Sequence, residues 1–308
     1  MPVILTPTAH GGPTIAPATP TTPVLEPARR ERLDAYSARF AEVFARADQL
    51  RWFRVYVQGL LAGMKRKNVE SIAAEARAED PSDERGEPNV AQALQHFVSH
   101  SPWDANRLTA VYRAGLPAAA STGPLVWVVH DGVIPKKGQH SVGAQRQYAR
   151  SLGRKLNCQL AVVVGVSGPG GYVPLAIRLY LPAYWLRERR EAVEKTVPEE
   201  FRTHVGKAEL ALGLIDELAA EGWAAGPVVA DESFAGVQAF HDGLAARNRR
   251  TVPSSLALAD ATATFEKLKT ELGLEHFEGR TWQGWHHHAA LVLAAYGFLL
   301  SEGDDFAA

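Results

Sequence analysis

The chain has 308 residues, of which 46% are hydrophobic and 22% are charged, with 33 Lys and Arg against 34 Asp and Glu. This composition is typical of a globular protein and excludes wholesale disorder, collagen and coiled-coil arrays. The near-neutral balance argues against a protein whose bulk charge drives nucleic-acid binding.

No apolar run reaches the ~18 residues of a membrane-spanning helix. There is no secretory signal pattern, and Cys158 is the single cysteine, so we expect a cytoplasmic protein without a membrane partner or a disulfide.

Four segments are expected along the chain. Residues 1–28 are rich in proline and threonine, a composition that resists regular structure, and we interpret them as a disordered arm. Residues 29–118 repeat apolar side chains at steps of three and four, which predicts a helical N-terminal region. Residues 119–301 are expected to form an α/β domain, and residues 302–308 a tail.

The α/β domain is predicted from short apolar runs that end at glycine or polar residues. The predicted strands are Pro124–Asp131, Asn157–Ser167, Tyr172–Leu181 and Gly226–Asp231. The second and third should pair as a hairpin around the turn at 168–171, and a helix over Lys207–Ala220 should cross over to the fourth. This order, β-β-β-α-β-α, predicts a mixed sheet flanked by helices.

Two aspartates end the first and fourth predicted strands. If those strands are adjacent and parallel, the side chains of Asp131 and Asp231 emerge at the same edge of the sheet, where α/β folds place their chemistry. Two nearby carboxylates favour a cation between them, so Mg²⁺ or Mn²⁺ is a possible cofactor, with His130 and Glu232 as further ligands. The simpler interpretation is that these acids are solvated turn residues.

A series of motifs points to a known family. The stretch Pro135-Lys-Lys-Gly-Gln-His-Ser-Val-Gly143, followed by Arg146-Gln-Tyr148 and Asn157-Cys-Gln159, resembles bacterial transposases of the insertion-sequence 701 family. Further similar motifs are Arg178-Leu-Tyr-Leu-Pro182, Val229-Ala-Asp231 and Glu271-Leu-Gly-Leu-Glu-His-Phe-Glu-Gly-Arg280. The resemblance implies an RNase H-like fold of the DDE type, in which two Asp and one Glu hold divalent metal for DNA strand cleavage and transfer.

The chain departs from that family at the acids. His130-Asp131-Gly132 stands where the family carries Asp-Asp-Thr, so the resemblance gives Asp131 as the first catalytic position and Asp231 as the second. The third acid should lie seven residues before Lys269, where this chain has Thr262. A long family segment before that helix is also missing. We therefore expect a degenerate centre that is unlikely to transpose.

Three glutamates are weighed as replacements for the missing acid: Glu232, Glu266 and Glu271. Glu271 falls nine residues beyond Thr262, about two and a half helical turns, and so faces nearly the opposite side.

Three functional hypotheses remain open. The first is a transposase-derived DNA-binding protein with a damaged nuclease centre. The second is an enzyme that uses the former nuclease cleft on a small molecule, with His130 and Asp131 as an acid/base couple, because imidazole titrates near pH 6.5. Lys137, Asp231 and Glu232 would assist. The third is a nonfunctional relic.

Other polar clusters carry weaker signals. Lys136, Lys137 and Arg146 are candidate phosphate contacts, together with Arg150, Arg154 and Lys155, although solvated charged loops explain them equally well. Consecutive side chains on a helix point about 100° apart, so at most two of the histidines in His286-His-His288 could share a metal ion. We interpret these histidines as packing or surface residues.

Overall fold

A computed structural model describes residues 26–79, 89–120 and 122–303. The predicted arm and tail therefore lie mostly outside the described residues, although Pro27 begins the first helix and Glu302 ends the last. The N-terminal part is helical, as expected. Its helices are α1 Pro27–Ala38, α2 Ala47–Leu61, α3 Val69–Glu79, α4 Val90–Ser99 and α5 Ala105–Ala114. The side chains of Asn89 and Asp104 accept main-chain N–H groups at the first turns of α4 and α5, which fixes where these helices begin.

The sheet is built around one long strand. The strands are β1 Val126–Pro135, β2 Gln145–Ala149, β3 Arg154–Gly168, β4 Gly171–Tyr180 and β5 Val228–Ala230. β3 pairs antiparallel with β1, β2 and β4, whereas β5 pairs parallel with β1. Cys158 pairs with Pro135 of β1 and also with Gln145 of β2, so β2 lies on the edge of β3 away from β1.

Two strand predictions were wrong. The first strand continues past Asp131 to Pro135, because its pairing with β3 runs unbroken from Val126↔Ser167 to Pro135↔Cys158. β2 was not predicted at all, because its sequence, Gln-Arg-Gln-Tyr-Ala, is polar and pairs only along one edge. A polar edge strand lacks the apolar run that marks a buried one.

Helices cover both faces of the sheet. They are α6 Ala183–Glu188, α7 Arg190–Thr196, α8 Lys207–Ala220, α9 Glu232–Ala235, α10 Gln238–Ala245, α11 Ser255–Thr270 and α12 Trp282–Glu302. Val128 of β1 packs with Ala257 and Ala261 of α11, and the ring of His130 lies edge-on to Phe265 of the same helix. Because side chains alternate along a strand, Asp131 points to the other face, toward α8.

Helix α12 joins the helical region to the sheet. It packs against α2, α4, α5 and β4, and most of its side chains are buried. His287 contacts the carbonyl oxygens of Val98 and Trp103, while His288 contacts the hydroxyl of Tyr56 and the carbonyl of Gly273. These two histidines therefore link separate parts of the fold. The domain boundary near residue 118 stays a prediction, since one hydrophobic core runs from α1 to α12.

The architecture is that of an α/β protein. The antiparallel strands β1, β3 and β4, the crossover helix α8 and the strand β5 parallel to β1 are consistent with the RNase H-like fold expected from the resemblance. Within the described ranges, no helix combines the length and the apolar character that crossing a membrane requires.

Candidate active site

Asp131 and Asp231 lie side by side across the parallel pair of strands β1 and β5. The main-chain N–H of Asp231 donates to the carbonyl of Val129 at 3.0 Å. The main-chain N–H of Asp131 in turn donates to Oδ2 of Asp231 at 2.8 Å. The expectation that the two aspartates lie together is confirmed and follows from the parallel register of β1 and β5. Only β5 ends there, however, because β1 continues past Asp131 to Pro135.

The carboxylate of Asp131 is buried and accepts hydrogen bonds from two side chains of the same protein. Its Oδ2 accepts a hydrogen bond from Nζ of Lys207 at 2.6 Å and another from Oγ of Ser233 at 2.6 Å. Its Oδ1 is buried without a hydrogen-bond partner. Asp131 is therefore neutralised by a lysine of its own chain, and one acceptor atom remains unused.

Lys207 is the first residue of α8. A cation at a helix N-terminus is opposed by the helix dipole, at a cost of about 0.3–1 kcal/mol. Its position is set instead by the ion pair with Asp131, in which the side chain of Lys207 is 22% exposed and that of Asp131 is 2% exposed. The ammonium also lies 5.8 Å from the centre of the Phe234 ring.

Asp231 caps a short helix. Its Oδ1 accepts the main-chain N–H of Ser233 at 2.8 Å, at the start of α9. Burial, and then the nearby charge of Asp131, raise the pKa of Asp231 to about 6, although the two main-chain hydrogen bonds and Lys207 act in the opposite direction. A carboxyl group that titrates this close to neutral pH is unusual, and such groups concentrate at functional sites.

A small cleft of about 110 Å³, partly open to solvent, lies over the two aspartates. The turn at 150–152 forms one of its walls, and α11 contributes Thr262, Phe265 and Glu266. Glu232 also lines it, as the exposed first residue of α9. The structure thus brings Asp131, Asp231 and Glu232 together with the helix on which a third acid was sought.

His130 lines the same cleft but does not bond to the Asp131 carboxylate. Its Nε2 lies 3.2 Å from the hydroxyl of Tyr172, and its Nδ1 lies 3.3 Å from the main-chain oxygen of Asp131. The imidazole is 4% exposed, and burial lowers its pKa to about 4. The ring is therefore neutral at pH 7, and its nearest polar side chain is Tyr172.

The family profile that matches the chain is that of the DDE superfamily endonucleases, over residues 39–255. The chain belongs to this family. It is also similar to a probable transposase for insertion sequence element IS701 from Microchaete diplosiphon, at 27% identity over 202 residues. That match covers 66% of the chain and 47% of the relative, so the chain spans about half the length of the relative it matches. No solved structure matches the chain.

The profile match of this DDE-superfamily chain includes both aspartates and ends at the start of α11. The position expected for the third acid, Thr262, lies beyond it, and its hydroxyl donates to the carbonyl of Leu258 within the helix. Glu266 lies one turn further along the same cleft wall, where its Oε1 accepts from Nζ of Lys269 at 2.8 Å. Thr262 and Glu266 therefore lie in the part of the cleft that the family match does not reach.

DDE endonucleases generally use divalent metal ions, yet the side chains here do not fit one as they stand. Mg²⁺ prefers near-octahedral coordination by free oxygens. Both oxygens of Asp231 accept main-chain N–H groups, and Oδ2 of Asp131 accepts two side-chain donors. In the part of the chain that the structure describes, no cluster of three or more His, Cys, Asp or Glu side chains has a geometry suited to a metal ion.

The three predicted phosphate contacts differ in their surroundings. Nζ of Lys136 donates to the carbonyl oxygens of Glu275 at 3.1 Å and Phe277 at 2.8 Å, so this lysine ties β1 to the chain before α12. Burial lowers the pKa of Lys136 to about 8. Lys137 and Arg146 are exposed, and their side chains are available to an anion.

Sequence reasoning missed Lys207 and Ser233. Ser233 had a local signal, because Asp-x-Ser at the start of a helix is typical of a cap. Lys207 had almost no sequence signal, because it lies 76 residues from Asp131 along the chain. The single hint was a cation in the first turn of a helix, where acidic residues are favoured.

Proposed function

We propose that this DDE-superfamily protein binds DNA and has lost metal-dependent strand transfer. The observation that carries the proposal is the ion pair between Lys207 and Asp131, which satisfies the first catalytic acid without a metal ion. The threonine at position 262 removes the acid that would complete the metal site. We also propose that the protein is cytoplasmic, as the sequence leads us to expect.

Two measurements on the full chain test the proposal. Binding of DNA should be salt-dependent, because phosphate contacts release counterions. Nicking of supercoiled plasmid in Mg²⁺ or Mn²⁺ should be absent, and Asp131→Asn should leave that result unchanged. Nicking that depends on metal and disappears in Asp131→Asn would overturn the loss of cleavage. Absence of DNA binding at low salt would overturn the DNA-binding role.

A reconstruction experiment tests the explanation at the level of the site. The double variant Lys207→Gln, Thr262→Glu removes the internal cation and adds a carboxylate to the facing wall of the cleft. Calorimetry should detect Mn²⁺ binding to this variant and none to the parent. The control is Lys207→Gln, Thr262→Gln, which has nearly the same volume without the added charge, and it should bind no Mn²⁺. Equal Mn²⁺ affinity of the parent and the double variant would contradict the role given to Lys207.

A second candidate function is supported by one observation, the pKa of Asp231 near 6 beneath a cleft. A carboxyl that titrates near neutral pH suits general acid/base work on a small molecule. His130 has less support in that role, because it is buried against Tyr172 and its pKa is lowered to about 4. The test is thermal stabilisation by a panel of small phosphorylated and carboxylated compounds. A compound that stabilises the parent and not Asp231→Asn would favour this alternative.

A further inference from the structure

The positive charge of this chain is unevenly placed. Residues 132–187 contain eight Lys and Arg residues and no Asp or Glu, in a chain that is otherwise close to neutral. Four of the eight lie in the hairpin formed by β2, the turn at 150–153 and the start of β3: Arg146, Arg150, Arg154 and Lys155. We call residues 145–157 the basic hairpin.

The register of the hairpin sets which side chains share a face. Tyr148 pairs with Lys155 and Arg146 pairs with Asn157, and directly paired residues of neighbouring strands point to the same side. Arg146 and Tyr148 are also two residues apart on β2, so both lie on that side. The result is a tyrosine ring with an arginine and a lysine as its neighbours.

These side chains are open to solvent. Tyr148 is 53% exposed, which is high for an aromatic residue, and the four cations are exposed as well. Among the described residues, none of these four cations forms an ion pair. By contrast, Arg178 on β4 of the same sheet forms an ion pair with Glu217 at 3.0 Å. The basic hairpin therefore carries charge that the fold itself does not use.

The hairpin also borders the candidate active site. Arg150, Ser151 and Leu152 of its turn line the cleft that contains Asp131 and Asp231. The turn itself is fixed by Gly153, whose φ of 61° lies in the left-handed region that glycine adopts without strain. Nucleic acid held at this turn would thus lie beside the mouth of the cleft.

We propose that the basic hairpin is the surface that holds single-stranded DNA, with its cations on the phosphates and Tyr148 stacked on an unpaired base. The proposal rests on the DNA-binding function proposed above and assigns its contact surface. Unpaired bases can stack on an exposed aromatic ring, whereas the bases of an intact duplex are already stacked on each other, so Tyr148 favours a single strand. The absence of acids over 132–187 favours a polyanion over a mixed-charge protein surface.

The test measures fluorescence anisotropy of a labelled oligothymidine of about 16 nucleotides with the full chain across a salt series. The variant Arg146→Gln, Arg150→Gln, Arg154→Gln, Lys155→Gln should weaken binding by about 100-fold at low salt. It should also reduce the slope of log affinity against log salt by up to about 3, since each single-strand phosphate contact contributes roughly 0.7. Tyr148→Ala should weaken binding by about 10-fold with the slope unchanged, and Tyr148→Phe should bind like the parent.

A matched variant controls for bulk charge. Arg187→Gln, Arg189→Gln, Arg190→Gln, Lys195→Gln removes the same number of charges from α6, α7 and the residue between them, and it should change affinity by less than about 5-fold. Equal losses in the two quadruple variants would overturn the proposal, as would unchanged binding in the hairpin variant while the parent binds DNA. Polyglutamate binding as tight as oligothymidine binding, or a preference for intact duplex that Tyr148→Ala does not alter, would also overturn it. If the parent binds neither form of DNA, the failure lies with the proposed function itself.

Discussion

Lys207 places its ammonium 2.6 Å from Oδ2 of Asp131, across 76 residues of sequence. The lysine begins α8, and the aspartate lies inside β1, so the contact joins the crossover helix to a central strand of the sheet. One positive charge close to a buried carboxylate removes much of the electrostatic demand for a metal ion at that carboxylate. The contact between Lys207 and Asp131 is therefore relevant both to the stability of the fold and to metal binding at Asp131.

Removal of the lysine should be costly for stability. Lys207→Gln leaves the buried carboxylate of Asp131 without its cation, and we expect the free energy of unfolding to fall by about 3 kcal/mol at pH 7. Adding Asp131→Asn to this variant should recover most of the loss, because neither charge then remains. Urea denaturation of the two single variants and the double variant measures this coupling.

The control for this prediction is Lys195→Gln. Lys195 forms an exposed ion pair with Glu191 at 2.6 Å, and solvent-exposed pairs of this kind contribute little. No measurable change in stability is expected. A loss for Lys207→Gln as small as that of the control would show that the Lys207–Asp131 pair is not important for the fold.

Asp231 should make the protein less stable as pH rises from about 4 to 6. Its pKa is raised in the folded state to about 6 from an ordinary value of 3.8, so the folded protein holds a proton that the unfolded chain has lost. Unfolding in this window releases a proton, and stability therefore falls with increasing pH. A shift of about 2 units corresponds to roughly 2–3 kcal/mol.

Asp231→Asn isolates this effect, because the amide does not titrate. The stability of the variant relative to the parent should improve by roughly 2–3 kcal/mol between pH 4 and pH 7. The comparison is made by denaturation at both pH values, so that contributions common to the two proteins cancel. A stability difference that is the same at both pH values would contradict the raised pKa.

The buried histidines should have the opposite effect to Asp231: they should make the protein less stable as pH falls. Burial lowers the pKa to about 4 for His130 and His287, and to about 3 for His286 and His288. These side chains stay neutral in the folded protein while the unfolded chain takes up protons below pH 6.5. Their contribution to stability is complete above pH 6.5 and is lost as pH falls toward 4.

The free energy of unfolding should therefore fall by several kcal/mol between pH 7 and pH 5, more than the opposing effect of Asp231 can offset. His288→Gln retains a side-chain donor for the carbonyl of Gly273 and removes one titrating group. The fall between pH 7 and pH 5 should be about 2 kcal/mol smaller in this variant. If the variant and the parent lose equal stability, His288 titrates normally in the folded state.

The pairing of the two aspartates could be predicted from the sequence, and their partners could not. Short apolar runs ending at Asp131 and Asp231, with a crossover helix between them, were enough to predict that the two acids lie side by side in a mixed sheet. Periodicity carries no information on which distant side chain will fill the space beside a buried carboxylate. Lys207 therefore appeared only in the folded chain, and so did the alignment of the basic hairpin with the cleft.

The boundaries of β1 likewise could be predicted only in part. The apolar run 124–129 marked β1, but the polar residues at 130–132 suggested an end where the strand continues. These residues stay in the strand because β3 pairs with them on one side, while Phe265 packs on His130 and against Gly132. Tertiary contacts thus override the local pattern.

The resemblance described above predicts threonine at the position of Gly132, and the structure gives a physical reason for glycine there. A Cβ atom at Gly132 would overlap the ring of Phe265 on α11. We expect Gly132→Thr to lower the free energy of unfolding by about 2–3 kcal/mol, because an overpacked core must displace the ring or the helix. Phe265→Leu in the same chain should relieve the overlap, giving a favourable coupling of at least about 1 kcal/mol in a double-mutant cycle.

Gly138→Ala serves as the control, since a Cβ there meets no atom within 4 Å, and its effect on stability should be small. Additive losses for Gly132→Thr and Phe265→Leu would mean that α11 already has room for a threonine at position 132, and that the contact with Phe265 does not explain the glycine.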